Sequence, residues 1–242
     1  KGGKKVVKAD KEDLKKAIED ANKALEKVIN SIKDINSKEI ETLIKENIAI
    51  TINIENIDKK DTIEVMIPAD IMAELKEKAI ALQIKTPSGD IVLPAGAISS
   101  NILINAKDIL INREPTKDID ILKQKLASKN KGLISYGIPF DFEALAIDTN
   151  GNKTKIKQFN YKVKVRIPMD KKDLDSIKDK RKAGVYYIGD NANVEFKGGK
   201  FEENAIIFET DHFSTYMVME YNKTFTDIQN HWAKEVIEVL AA

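Results

Sequence analysis

Ile48-Ala49-Ile50-Thr51-Ile52-Asn53-Ile54-Glu55 decides the fold class of this chain. Its isoleucines alternate with small or polar residues at the two-residue period of an extended strand, so one face is apolar and the other wet. Outward from it the same grammar continues. A polar turn, Asp58-Lys59-Lys60-Asp61, leads into Thr62-Ile63-Glu64-Val65-Met66-Ile67, which Pro68 closes. Asp70 to Lys78 suits a helical turn or two. Ala81-Leu82-Gln83-Ile84 and Ile91-Val92-Leu93 then flank the turn Pro87-Ser88-Gly89-Asp90. Short strands separated by turn residues at this spacing predict a β-rich lobe.

The second half repeats the pattern. Ile134 to Phe142 and Ala144 to Ile147 precede the hairpin-like Asp148-Thr149-Asn150-Gly151-Asn152. Tyr161 to Ile167 alternates, and a charged helical stretch runs from Asp170 through Lys182. Strands follow at 185–188, 193–196, 205–208 and 214–219. Val65-Met66-Ile67-Pro68-Ala69-Asp70 is echoed by Val165-Arg166-Ile167-Pro168-Met169-Asp170, and more weakly by Ile138-Pro139-Phe140-Asp141. In each copy Pro stops the strand ladder and Asp is placed to cap the next turn. Residues 98–131 read as the seam between two lobes.

At the N-terminal end, Leu14, Ile18, Ala21, Leu25, Val28 and Ile32 recur by fours and threes, which predicts a helix from Asp10 to about Ile35 with one narrow apolar stripe. Asp10 is its candidate cap. The stripe stops after about three heptads, too few for a sustained coiled coil, and reads as a connector packing on the next domain. Residues 39–47 suit a further short helix. Lys1-Gly2-Gly3 reads as the start of an excised segment.

Composition excludes more than it identifies. The 242 residues carry 40 Lys+Arg and 39 Asp+Glu, a net charge of +1, with no Cys and only two His. The charge balance gives no general pull toward nucleic acid or anionic lipid. Without Cys there are no disulfides, thiol nucleophiles or Cys-ligated metals. No apolar run approaches the roughly 20 residues of a membrane helix. Asp148, Asn150 and Asn152 are oxygen-rich, but the string lacks the acidic residue an EF-hand needs at its twelfth position and reads as a turn, so neither metal nor cofactor is expected. Tyr136, Phe159, Tyr161, Tyr186 and Tyr187 are the candidate sugar platforms; Tyr186 and Tyr187 must face opposite ways on a strand.

The most specific motif closes the chain. Phe225, Asp227, His231-Trp232-Ala233, Ile237 and Leu240 resemble the opening of an S-layer homology (SLH) repeat, with Val236, Ile237 and Leu240 on the apolar side of its helix. That family grips secondary cell-wall polymers through a helical bundle, and this segment ends before the second half of a repeat. Packing in a core is the plainer expectation for His231 and Trp232 here. The resemblance implies a bacterial cell-surface protein, extracellular and held to the S-layer or wall polymer by complete SLH repeats.

A second motif, Asp211-His212-Phe213-Ser214, ends a β-rich stretch that is similar to ZU5/UPA-type domains, some of which cut themselves at His-Phe-Ser. The resemblance implies that His212 takes the Ser214 proton while its hydroxyl attacks the Phe213 carbonyl in an N→O acyl shift, water then hydrolysing the ester. The plainer reading makes Phe213 a core anchor and Ser214 the start of a strand, with Asp211 and His212 serving the turn.

These readings give an α+β, mainly β fold: a connector helix over 1–37, β-sandwich-like lobes over 38–107 and 108–222, the second ZU5/UPA-like, and the start of an SLH repeat over 223–242. The expected function is a non-catalytic extracellular spacer or interaction module beside a wall anchor. Autoproteolysis at Phe213–Ser214 and binding of wall polysaccharide or another surface protein are the alternatives. Neither nucleic acid nor membrane is an expected partner.

Overall fold

A computed structural model describes residues 2–31, 48–58 and 60–241. Ile32 and the candidate helix over 39–47 lie outside them. The architecture is α+β and mainly β, with strands in two mixed sheets. The chain divides into two units, each assembled from separated stretches. The first comprises Lys1–Arg113, Glu143–Val165 and Thr210–Phe213; the second comprises Glu114–Phe142, Arg166–Glu209 and Ser214–Ala242. The lobes read from sequence ran end to end, whereas these units interleave.

In the first unit, β1 (Lys4–Lys8) pairs parallel with β3 (Thr62–Pro68), and β3 pairs antiparallel with β6 (Asp108–Pro115), Val65 opposite Ile111. A second ladder joins β2 (Ala49–Asn53) parallel to β4 (Ala81–Thr86), and β4 antiparallel to β5 (Gly89–Leu93). Parallel neighbours need long crossovers. Helix α1 (Lys11–Ser31) lies on the crossover from β1 to β3 and packs against β2 and α2 (Ala69–Lys78). The predicted connector helix is therefore part of the unit. Its stripe buries Leu14, Ile18 and Leu25.

Asp10 caps α1 as the sequence predicts: its Oδ1 accepts the N–H groups of Glu12 (2.9 Å) and Asp13 (3.0 Å). Replacing a helix cap by Ala costs about 1 kcal/mol. Asp10→Ala is expected to lower stability by about that amount in urea unfolding. Asp70 does not cap α2. It sits inside the first turn, with Pro68 at the cap position, and is ion-paired to Lys11, which holds its carboxyl below the usual range.

The division after Arg113 falls inside the 98–131 stretch read as a seam, and that stretch is itself structured. It holds α3 (Ser100–Asn105), β6 and α4 (Ile119–Lys129), and Ile109, Leu110 and Ile111 of β6 are all buried. A strand covered on both faces reads as a continuous apolar run and loses its alternation.

The second unit is built on β7 (Leu133–Ile147, through Phe142), β14 (Thr215–Tyr221), β10 (Ala183–Ile188) and β11 (Val194–Gly198), paired antiparallel in that order. Pro139 does not end a strand; β7 runs through it. The β7–β14 register passes from Phe140↔Tyr216 to Tyr136↔Val218, so Gly137, Ile138 and Pro139 bulge opposite Met217. Gly137 supplies a φ of +66°, and a bulge tolerates the missing proline N–H. The remainder of β7 pairs with β8 (Lys153–Lys155) in the first unit as a hairpin. The predicted charged helix ends early: α5 covers Lys171–Ser176, and a 3-10 turn occupies Lys180–Lys182.

Leu126, Leu133, Tyr186, Ile188, Met217 and Met219 form one core of this unit. Burial pushes the Tyr186 phenol up to about 12. Its ordinary value is about 10, so above that pH the unfolded chain releases a proton that the folded unit retains. Stability is then full below about pH 10 and falls by about 1.4 kcal/mol per pH unit up to the folded value. Tyr186→Phe is expected to show a shallower alkaline decline than the parent in urea midpoints measured between about pH 9 and 11.

Candidate functional site

The Thr210–Phe213 turn belongs to the first unit. His212 Nδ1 lies 2.8 Å from Asp211 Oδ1, and Thr210 Oγ1 donates to the His212 carbonyl at 2.9 Å. Phe159 N donates to the Asp211 carbonyl at 2.7 Å. Phe213 is buried and meets Phe159 edge-on, with ring centroids 4.8 Å apart. Edge-to-face pairs of this kind add to the area they bury. Phe213 is thus a core anchor.

Ser214 belongs to the second unit, and its carbonyl accepts from Phe142 N at 2.9 Å. Strand β14 begins one residue later, where Thr215 Oγ1 donates to Asp141 Oδ1 at 2.5 Å. Thr116 Oγ1 donates to the same oxygen at 2.9 Å.

The C-terminal motif is placed differently from its reading. A 3-10 turn spans Thr226–Ile228, and helix α6 runs only Lys234–Leu240, so His231 and Trp232 precede it. His231 Nδ1 accepts from Ala233 N at 3.1 Å, and its ring stacks on Trp232. Phe225 lies under the Lys223 ammonium, 5.1 Å from the ring centroid. Trp232 is 90% exposed, Val236 58% and Leu240 83%, which corrects the expectation of core packing. Val236 and Leu240, one helical turn apart, share an outward face of α6, and Trp232 stands exposed just before the helix.

The helix meets the unit through half-buried Ile237 and Val239 and through two ion pairs. Glu235 pairs with Arg181, and Glu238, itself buried, accepts Lys182 Nζ at 3.1 Å. Two cations in the 3-10 turn select the acidic side of α6 for docking. Lys182→Ala strands a buried carboxylate, and hydrogen bonds to charged groups contribute about 2 kcal/mol. The expected result is faster amide exchange confined to residues 234–240.

Asp148 Oδ1 accepts the amides of Asn150 and Asn152, both at 2.8 Å, and Oδ2 accepts Asn152 Nδ2. The Asn152 side chain and these amides hold its carboxyl below the usual range. The loop oxygens thus serve the turn. Among the described residues no group of three or more His, Asp or Glu is placed to hold a metal. Calcium at millimolar excess is expected to leave the thermal midpoint unchanged.

Of the sugar-platform candidates, Tyr136, Phe159 and Tyr186 are buried. Tyr187 is half-buried beside Lys197, so the opposite-face reading of Tyr186 and Tyr187 holds. Tyr161 is exposed. Sequence reasoning missed three features. Glu220, fully buried, accepts Tyr136 Oη (2.6 Å), Lys178 N (3.2 Å) and Asp179 N (3.0 Å). Arg113 is buried in the first unit, donates to Ser88 Oγ at 2.8 Å, and is pushed down to about 10 by that burial. The third is a groove of about 410 Å³ in the second unit, between α5 and the turn at Glu203–Asn204. A buried acid in a strand and a groove drawn from separate stretches leave no local pattern.

No family model matches the chain. In an alignment 194 positions long that takes in 72% of the chain, it is 32% identical to an amylopullulanase of Thermoanaerobacterium thermosulfurigenes. That match takes in 10% of the amylopullulanase, so the chain spans about a tenth of the curated relative it resembles.

Proposed function

We propose that this chain is a non-catalytic accessory module of an extracellular bacterial surface protein, a rigid spacer or interaction unit beside an SLH wall anchor. The observation that carries this reading is the match to a tenth of an amylopullulanase, the scale of an accessory part within a much longer enzyme. The β-sandwich-like and ZU5/UPA-like character of the lobes belongs to the same reading. So does the partner, a cell-wall polymer held through SLH repeats of the full-length protein.

The exposure of Trp232, Val236 and Leu240 supports the anchor part of the proposal. Large apolar side chains left in water are a surface for another element to cover, and a second helix of an SLH repeat supplies one. Extending the chain by complete SLH repeats whose own Trp positions are replaced by Phe is expected to shift the Trp232 emission to shorter wavelength and shield it from acrylamide. Unchanged emission and quenching would refute the anchor assignment. The name of the relative also brings pullulan and amylose-type glucans into range: a module joined to such an enzyme stands close to neutral polysaccharide.

A further inference from the structure

The second-unit groove is bounded on one side by α5, where Lys171, Leu174 and Asp175 fall on one face at i, i+3 and i+4. The opposite wall is the turn between β12 (Lys200–Phe201) and β13 (Ala205–Thr210), which contributes Glu203 and Asn204. Met169 N donates to the Asn204 carbonyl at 2.9 Å and ties the walls together. Arg166 Nη2 donates to Asn204 Oδ1 at 2.6 Å and orients that side chain. Lys180 closes one end, with its ammonium 5.7 Å from the Phe201 ring centroid.

The volume of about 410 Å³ is that of a small-ligand cleft. The lining is not that of a cleft for an apolar molecule, because five of its seven residues are polar: Lys171, Asp175, Lys180, Glu203 and Asn204. Met169 and Leu174 supply a limited apolar floor. Lys171, Asp175 and Glu203 carry no side-chain hydrogen bond or ion pair among the described residues. The lining carries two ammonium groups and two carboxylates, so an acidic polymer loses to the carboxylates what it gains from the lysines. A polyol is served by both. Each hydroxyl donates as well as accepts, so it can satisfy carboxylate and ammonium alike through charge-assisted bonds while a ring C–H face rests on the floor.

We propose that this groove binds a short neutral glucan; the choice of glucan rests on the accessory-module reading above. The test titrates the full chain with maltohexaose to about 10 mM while recording two-dimensional amide NMR spectra. Saturable shifts are expected at residues 169–180 and 200–205. Asp175→Ala/Glu203→Ala, both exposed positions, is expected to weaken binding at least about tenfold with an unchanged thermal midpoint. Lys171→Ala provides an independent variant with the same expected direction.

Absence of shifts, shifts mapping elsewhere, or full binding by the folded double variant would overturn the proposal. So would groove shifts with polygalacturonate, an acidic probe, in place of maltohexaose. A blank maltohexaose titration removes the groove assignment and leaves the spacer reading standing, because that reading is decided by retention on cell wall.

Discussion

Glu220→Ala is expected to destabilise the second unit by about 3–5 kcal/mol, read as a lower urea midpoint. The carboxylate is inaccessible to water and answers three donors at once: the Tyr136 hydroxyl and the backbone N–H groups of Lys178 and Asp179. Truncation leaves the part-buried N–H groups of Lys178 and Asp179 without this acceptor and the Tyr136 hydroxyl with only the Ser176 carbonyl at 3.4 Å, and each lost partner costs about 1–3 kcal/mol, partly relieved by local relaxation. The two amides belong to the loop between α5 and the 3-10 turn, so Glu220 fixes how that loop meets β14. Two graded variants separate this from simple cavity formation. Tyr136→Phe removes one charge-assisted bond and is expected to cost about 2 kcal/mol. Glu220→Gln keeps the shape but turns a donor toward donors, and should fall between the other two. A Glu220→Ala protein within about 1 kcal/mol of the parent would contradict this role.

Phe213→Ala is expected to cost about 3–5 kcal/mol, the range for deleting a buried aromatic ring. It removes the edge-to-face partner of Phe159 and opens a hole where the Thr210–Phe213 turn enters the core. Ser214→Ala, one residue away, is expected to stay within about 0.5 kcal/mol. This contrast separates the two readings of the His-Phe-Ser tripeptide. A core anchor concentrates the effect at Phe213, and intact-mass spectra of parent and Ser214→Ala then show one full-length species after long incubation. A self-cleaving module concentrates it at Ser214: the parent yields two fragments and Ser214→Ala stays whole.

Local physics was readable wherever one face of an element is wet. The alternation over 48–54, the Asp10 cap, the turn at 148–152 and the opposed faces of Tyr186 and Tyr187 all follow from periods and side-chain chemistry a few residues long. What was missed depends on partners far along the chain. Residues Lys4–Lys8 carry no strand reading in the sequence, and it is β3 that supplies their parallel neighbour. The apolar run in β6 lost its period because both faces are covered, and Pro139 passed for a strand stop because a three-residue bulge is set by β14.

Site-level errors have the same origin. Helix α6 has an apolar and an acidic side, and its sequence does not say which one docks. Arg181 and Lys182, more than fifty residues upstream, decide for the acidic side. The groove draws on α5, the 3-10 turn and the β12–β13 turn, none of which carries a motif. The interleaving of the two units likewise leaves no mark on local composition.

The central claim, that the module spaces or presents other parts without gripping the wall itself, is tested most directly by sedimentation with purified bacterial cell wall. The 242-residue chain is compared with the same chain extended by complete SLH repeats. The account predicts that the chain alone stays in the supernatant and the extended protein pellets with the wall. Pelleting of the unextended chain to the same extent would contradict it.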